Sequence, residues 1–252
     1  MVHFVGAGSG APDLITVRGQ KLLSEADLVI YAGSLVNPAL LENTKEGCEI
    51  YDSAKMTLEE VTEKMFAAEA AGKMTVRLHT GDPSIYGAIK EQMDALDEMG
   101  IPFESCPGVS ACFGAASSLD LEFTLPGISQ SLIITRMAGR TGVPEKESIE
   151  SFAAHDSTMA IYLSAGSLGE LTKRLIAGGY SPDTPAAIVY KATWEDEKKF
   201  VCTVSDLERV AAENGIRKTA LILVGRVIAS NNYEKSKLYD RSFTTEFRKG
   251  RD

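Results

Sequence analysis

Hydrophobic positions along the chain fall into two alternating patterns. Short apolar runs bounded by glycine, proline or aspartate read as buried strands, at residues 2–5, 28–31, 74–78, 101–105, 132–135, 159–163, 186–190, 199–203 and 220–224. Between many of them lie stretches with helical spacing. Thr57-Leu58-Glu59-Glu60 has the form of a capping box, and Val61, Met65 and Ala68 continue an apolar face to a stop at Gly72. Ser167-Leu168-Gly169-Glu170 and Ser205-Asp206-Leu207-Glu208 have the same form, and Gly178-Gly179 ends the first of those helices. Ile85, Ile89, Met93 and Leu96 mark one face of a helix that starts directly after Gly81-Asp82-Pro83. The small residues at 109–118 read as a tightly packed helix.

This alternation predicts α/β architecture with a largely parallel sheet. The pattern restarts after the small-residue helix, which predicts an N-terminal α/β domain over residues 1–118 and a C-terminal α/β domain over residues 119–252. The tail from Asn231 is polar and mixed in charge, and reads as a surface extension or a partner-contacting arm. Two strand ends carry the strongest signals. One is Val5-Gly6-Ala7-Gly8-Ser9-Gly10-Ala11-Pro12. The other is Leu78-His79-Thr80-Gly81-Asp82-Pro83-Ser84-Ile85-Tyr86-Gly87. Open α/β sheets bind small molecules beyond the carboxyl ends of their strands.

Composition removes several function classes. The chain has 252 residues, 44% of them hydrophobic, enough for sizeable cores. The formal charge is -9 and no long basic run occurs, so no nucleic-acid partner is expected. Four cysteines without a CxxC pair and three scattered histidines argue against a metal cluster. Sparse cysteines fit reduced thiols in the cytoplasm. Gly6, Gly8, Gly10 and Pro12 interrupt any leader-like opening, and no apolar run reaches the ~20 residues of a membrane helix.

Each motif has a competing explanation. Gly6-Ala7-Gly8-Ser9-Gly10-Ala11 matches the dinucleotide fingerprint in form. However, Pro12-Asp13 delays the helix, and Tyr31-Ala32-Gly33 lacks the ribose-binding acid. Ala165-Gly166-Ser167-Leu168-Gly169 imitates a nucleophile elbow, but no histidine follows Ser167, which reads as a helix N-cap. Asp82 is either a ligand partner or a turn opener. His79 reads as a satisfied strand-end histidine, and Cys106 and Cys112 as core fillers. Arg136 and Arg140 suit an acidic ligand or plain solvation.

As an ordered set, these segments resemble the tetrapyrrole methylases, which use S-adenosylmethionine to methylate uroporphyrinogen-derived rings. The matching stretches are Val5 through Thr16, Thr80-Gly81-Asp82-Pro83, Pro107-Gly108-Val109-Ser110-Ala111 and the segment at 220–225. Further likeness is to the subgroup acting at C-11 of precorrin-4 or cobalt-precorrin-4. It lies in Tyr31-Ala32-Gly33-Ser34-Leu35-Val36, in Leu125-Pro126-Gly127-Ile128-Ser129-Gln130-Ser131 and in Arg136-Met137-Ala138-Gly139-Arg140-Thr141.

The resemblance implies two α/β domains with the active-site cleft between them, a homodimer, and a tetrapyrrole substrate. S-adenosyl-L-methionine would be the methyl donor and S-adenosyl-L-homocysteine its product. Carried over by position, the donor contacts are Pro12, Gly81, Asp82, Ile85, Ser110, Ala111, Leu163 and Ala192, with Ala220 as a further contact. Arg136, Arg140 and helix N-termini are the candidates for the substrate carboxylates. Methyl transfer by in-line positioning needs no catalytic acid–base pair, so no catalytic side chain is expected. Methylation at another ring position, or a non-catalytic tetrapyrrole- or nucleotide-binding module, are the competing functions.

Overall fold

The computed structural model describes residues 1–139, 141–231 and 233–251. Among them, ten strands form two five-stranded sheets. The chain divides into two compact units. The first comprises Met1–Ala115 together with Lys191–Glu197, and the second comprises Ala116–Tyr190 with the chain from Lys198 onward. Lys191–Glu197 therefore returns to the first unit from the far half of the sequence.

The first unit contains β1 (Val2–Gly6), β2 (Leu28–Tyr31), β3 (Glu49–Asp52), β4 (Thr75–His79) and β5 (Phe103–Cys106). They lie in the order β3-β2-β4-β1-β5, and every pairing is parallel. The period-two alternation of a strand decides which side chains face which layer. Val5, Val29, Val76 and Leu78 pack with Leu23 of α1 (Val17–Glu25). Val2, Phe4, Leu28 and Ile30 pack on the other face with Val61 and Met65 of α2 (Leu58–Ala70) and Leu96 of α3 (Lys90–Glu98). Helices thus cover both faces, as a buried parallel sheet requires.

The Thr57 capping box forms as expected: Thr57 accepts the Glu60 N–H, and the Glu60 carboxylate accepts the Thr57 N–H at 2.8 Å. The helix expected directly after Pro83 does not start there; α3 begins at Lys90. Tyr86 and Ala88 have φ of 57° and 49°, left-handed values that a right-handed helix cannot contain.

The second unit contains β6 (Leu132–Arg136), β7 (Thr158–Tyr162), β8 (Pro185–Tyr190), β9 (Lys198–Thr203) and β10 (Ala220–Val224), ordered β6-β7-β10-β8-β9. Only β6 and β7 pair in parallel; the other three pairings are antiparallel. The expectation of a largely parallel sheet therefore holds for the first unit and fails here. Residues 191–197 join β8 to β9 without a crossover helix, so the strand must turn back on itself. The core gathers Met159, Ile161, Ile188 and Ile222 with Ile149 of α5 (Ile149–Ala153), Leu171 and Leu175 of α6 (Leu168–Ala177), and Leu207 of α7 (Leu207–Glu213).

The capping boxes expected at Ser167 and Ser205 do not form. The N-cap residues of α6 and α7 are Ser167 and Asp206, and neither makes a side-chain cap bond. Both helices are entered from 3-10 turns, Ala165–Ser167 and Val204–Asp206. There, backbone N–H groups already find carbonyls three residues back: Ser167 N–H meets Ser164 O, and Leu207 N–H meets Val204 O.

Candidate functional site

In the first unit, β1 sits between β4 and β5. The chain leaves β1 toward β2 by way of α1, and leaves β4 toward β5 by way of α3 on the opposite face. The carboxyl ends of β1 and β4 therefore flank a topological switch point, where loops diverge and a ligand crevice can open.

Glycine lets these strand ends touch. A Cβ on Gly6 would lie 2.6 Å from both Gly108 Cα and Gly81 O, and one on Gly108 would lie 2.2 Å from Gly81 O. Backbone meets backbone where any side chain would force the strand ends apart. Gly8 and Gly81 bond to each other, with Gly8 N–H to Gly81 O at 3.3 Å and Gly81 N–H to Gly8 O at 2.8 Å. The Ala7 N–H donates to His79 O at 2.7 Å.

Asp82 ties two of these ends together. Its carboxylate accepts the N–H of Gly108 at 2.9 Å, the N–H of Ser84 at 2.9 Å and the Ser84 hydroxyl. Burial pushes its pKa up. Hydrogen bonds from the Ser84 hydroxyl and the Gly108 and Ser84 N–H groups outweigh burial and hold it below the ordinary carboxylate value. Asp82 is a turn residue in its bonds to Ser84, and a tie between strand ends in its bond to Gly108.

The loop after β1 is held by the returning segment 191–197. The Thr193 hydroxyl lies 3.0 Å from Ser9 Oγ and accepts the Ala11 N–H at 3.1 Å. Thr193 has φ of 67°, and its N–H donates to Glu197 at 2.5 Å. The Asn37 amide donates to Gly10 O at 2.9 Å. Gly114 of α4 (Ala111–Ser118) lets that helix close on Ser9, since a Cβ there would meet Ser9 Oγ at 2.5 Å.

Seven of the sequence candidates thus gather in the first unit. Pro12 opens the 3-10 turn next to Ala11. Gly81 faces Ser110 and Ala111, whose Cα and N would lie 3.5 Å from a Cβ on it. Ile85 follows Asp82 in the turn, its N–H donating to Asp82 O at 3.2 Å. Ala192 is buried, with its carbonyl against Gly10. Sequence reasoning missed Ser9, Asn37, Thr193 and Trp194. The one available signal is the polar make-up of residues 194–199, which says nothing of where that segment packs.

In the second unit, β6 and β7 end together, Arg136 pairing with Tyr162. The antiparallel register Ile222↔Ile161 brings the start of β10 to that same end, so Arg136, Leu163 and Ala220 share it. Leu163 is 72% exposed with φ of 53°, an apolar side chain held outward on strained backbone. The four terminal N–H groups of Arg136 are spent on its own loop. They donate to Met137 O, Thr141 O, Thr141 Oγ1 and Gly142 O at 3.1, 3.2, 3.0 and 2.8 Å. Arg140 lies outside the described residues. Residues 125–131 lie at the opposite end of this sheet, where the Thr158 N–H donates to Ser129 Oγ and Arg226 donates to Ile128 O.

His79 is only 3% exposed, stacked on Phe4, and its Nε2 has no hydrogen-bond partner among the described residues. It is a strand-end histidine, but not a satisfied one. Burial, then the nearby Arg77 charge, lower its pKa to about 3, so it is neutral near pH 7 and a poor base. Cys106 and Cys112 are buried, as expected of core fillers. Among the described residues, no group of three or more His, Cys, Asp or Glu is placed to hold a metal ion. Nor is any described helix long and apolar enough to cross a membrane.

Comparison with known proteins adds independent findings. The sequence profile of the Tetrapyrrole (Corrin/Porphyrin) Methylases matches residues 1–208. A cobalt-precorrin-4 C(11)-methyltransferase of Methanocaldococcus jannaschii is 54% identical over 248 residues, covering 98% of this chain and 96% of the relative. The solved structure of a cobalamin biosynthetic enzyme, cobalt precorrin-4 methyltransferase, matches with a TM-score of 0.89 and 47% identity, over 91% of this chain and 96% of that one. A uroporphyrin-III C-methyl transferase from Thermus thermophilus, complexed with S-adenyl homocysteine, matches with a TM-score of 0.75 and 27% identity, over 90% and 93% of the two chains.

Proposed function

The chain belongs to the tetrapyrrole methylases, and from that membership we propose that it transfers the methyl of S-adenosylmethionine to C-11 of precorrin-4 or its cobalt complex, in corrin-ring biosynthesis. The near-full-length identity to a relative of that activity carries the reading.

The first unit suits the donor. Strand ends that meet through Gly6, Gly81 and Gly108 offer backbone where a nucleoside must approach closely. Asp82 is anionic at neutral pH and keeps acceptor capacity beyond the bonds it already makes. Pro12, Gly81, Asp82, Ile85, Ser110, Ala111 and Ala192 are the donor contacts of this reading, with Leu163 and Ala220 from the second unit.

When bound, S-adenosylmethionine supplies an electrophilic sulfonium methyl to a nucleophilic ring carbon. The protein's task is then to orient, and orientation is worth ~7–11 kcal/mol of barrier. A ring carbon that becomes quaternary releases no proton. Any proton lost leaves a ring nitrogen of the substrate, so no side-chain base is required, and neutral, buried His79 is not one. Arg136, whose terminal N–H groups already bond to Met137, Thr141 and Gly142, remains a candidate for the substrate carboxylates. Arg140 and helix N-termini are the other candidates of this reading. The same reading makes the protein a homodimer of the cytoplasm, where thiols stay reduced.

The test is incubation with methyl-labelled S-adenosylmethionine and either precorrin-4 or cobalt-precorrin-4, with mass spectrometry and carbon NMR of the product. Label at C-11 is expected, and the faster acceptor identifies the natural substrate. Label at another carbon would reassign the ring position. Donor binding without transfer to either acceptor would sink the proposed substrate. Absence of donor binding would sink the methyltransferase reading.

A further inference from the structure

Arg77 lies in the middle of β4, opposite Phe4 on β1 and Ile30 on β2. It is only 6% exposed, and among the described residues no carboxylate forms an ion pair with it. A buried cation without a counterion is costly, and its N–H groups must find neutral acceptors. One terminal N–H donates to Ile30 O at 3.1 Å, and Nε–H donates to Gln92 Oε1 at 2.9 Å. Burial lowers the guanidinium pKa to about 10, which leaves it charged at neutral pH.

Gln92, buried on α3, passes this constraint on. With its oxygen engaged by Arg77, its amide nitrogen faces the other way and donates to Ala88 O at 2.9 Å. Ala88 sits in the stretch between Asp82 and α3, where Ala88 and Tyr86 both hold left-handed backbone without being glycine. Such conformations persist only where surrounding contacts over-determine them. The Ala88 carbonyl is fixed at one end of the stretch by Gln92, and Asp82 is fixed at the other by Gly108 and Ser84.

We propose that Gln92 is a positioning residue for donor binding: its amide, oriented by Arg77, holds the Ala88 carbonyl and so sets the conformation of residues 82–89, which present Asp82 and Ile85. This inference rests on the donor site proposed above. The chemistry demands an amide. Glutamate keeps an acceptor for Arg77 but has no donor for Ala88 O and sets a carboxylate oxygen against it. Leucine loses both bonds.

The experiment compares wild type, Gln92→Glu, Gln92→Leu and Asp82→Ala by calorimetric titration with S-adenosylhomocysteine, thermal melting, and amide hydrogen exchange resolved over residues 85–89. Gln92→Glu is expected to fold, to bind S-adenosylhomocysteine about tenfold more weakly, and to exchange faster within residues 85–89 than across the rest of α3 and β4. Gln92→Leu follows the same pattern at a lower melting temperature; should it fail to fold, Gln92→Glu decides alone. Wild-type affinity in Gln92→Glu, or exchange accelerated equally throughout the unit, overturns the proposal. Asp82→Ala separates the two levels. If it binds as wild type, the donor-site reading itself falls. If it weakens binding while Gln92→Glu does not, only the role of Gln92 falls.

Discussion

The indole of Trp194 occupies the space that a side chain at residue 10 would need: a Cβ on Gly10 would lie 2.2 Å from Trp194 Cδ1 and 2.5 Å from its Nε1. The two residues lie far apart in the sequence but in one compact unit. Gly10→Ala is therefore expected to displace the loop that carries Pro12 and to weaken S-adenosylhomocysteine binding at least about tenfold, by steric conflict of the overpacking kind. Adding Trp194→Ala should recover part of the loss. Unchanged affinity in Gly10→Ala, measured by calorimetry, would show that this contact does not shape the site.

Trp194 is also the only tryptophan in the chain. Donor binding at the loop it packs against should change its fluorescence, in a saturable way that gives the same affinity as calorimetry. Thr193→Ala removes the hydroxyl shared by Ser9 and Ala11, a loss of about 1 kcal/mol or roughly fivefold in affinity. A fluorescence signal that ignores the donor would disconnect segment 191–197 from binding.

The strand-end seam predicts a contrast between two glycines. Gly47 has φ of 80° with open space around it, so Gly47→Ala meets only backbone strain, about 1 kcal/mol. Gly108→Ala drives a Cβ into Gly81 O and should cost about 3 kcal/mol or more, because backbone on both sides must move. Urea unfolding of the two variants checks the ranking; equal losses would refute it.

His79 makes stability pH-dependent. Its folded pKa is about 3 against an ordinary value of 6.5, so between those values the unfolded chain binds a proton that the folded chain refuses. Its effect on stability is complete above pH 6.5, and acidification below that erodes stability by up to roughly 1.4 kcal/mol per pH unit. His79→Phe, which keeps an aromatic ring beside Phe4, should lose less melting temperature between about pH 7 and pH 5 than wild type does. Parallel melting curves for the two proteins would contradict the assignment.

Asp82 behaves in the opposite window. Its folded pKa lies below the ordinary 3.8, so its tie to Gly108 and Ser84 is fully present above that value and is lost only as pH falls through the lower one. The affinity gap between wild type and Asp82→Asn should stay constant from about pH 5 to pH 8 and close only below about pH 4. A gap that varies near neutrality would mean that another group controls donor binding.

Nine of the ten strands among the described residues and the α/β class were legible in the sequence, as were the paired strand ends at Gly6–Pro12 and Gly81–Pro83, whereas β3 and α1 were not. Their signals are local: apolar runs between turn residues, the Thr57 capping box, glycines at strand ends. The family was legible for the same reason, since its motifs are short and ordered along the chain. Tertiary structure decided what those local signals leave open. It made the second sheet mainly antiparallel, delayed α3 until Lys90, and replaced two serine caps with 3-10 turns. It engaged the Arg136 guanidinium with Met137, Thr141 and Gly142, and brought Thr193 and Trp194 back to Ser9 and Gly10. Each of these depends on which groups compete for the same hydrogen bond or the same space, and the competitors are far apart in sequence: 184 residues separate Ser9 from Thr193. Periodicity records which face of an element is buried, and only the folded chain decides what it is buried against.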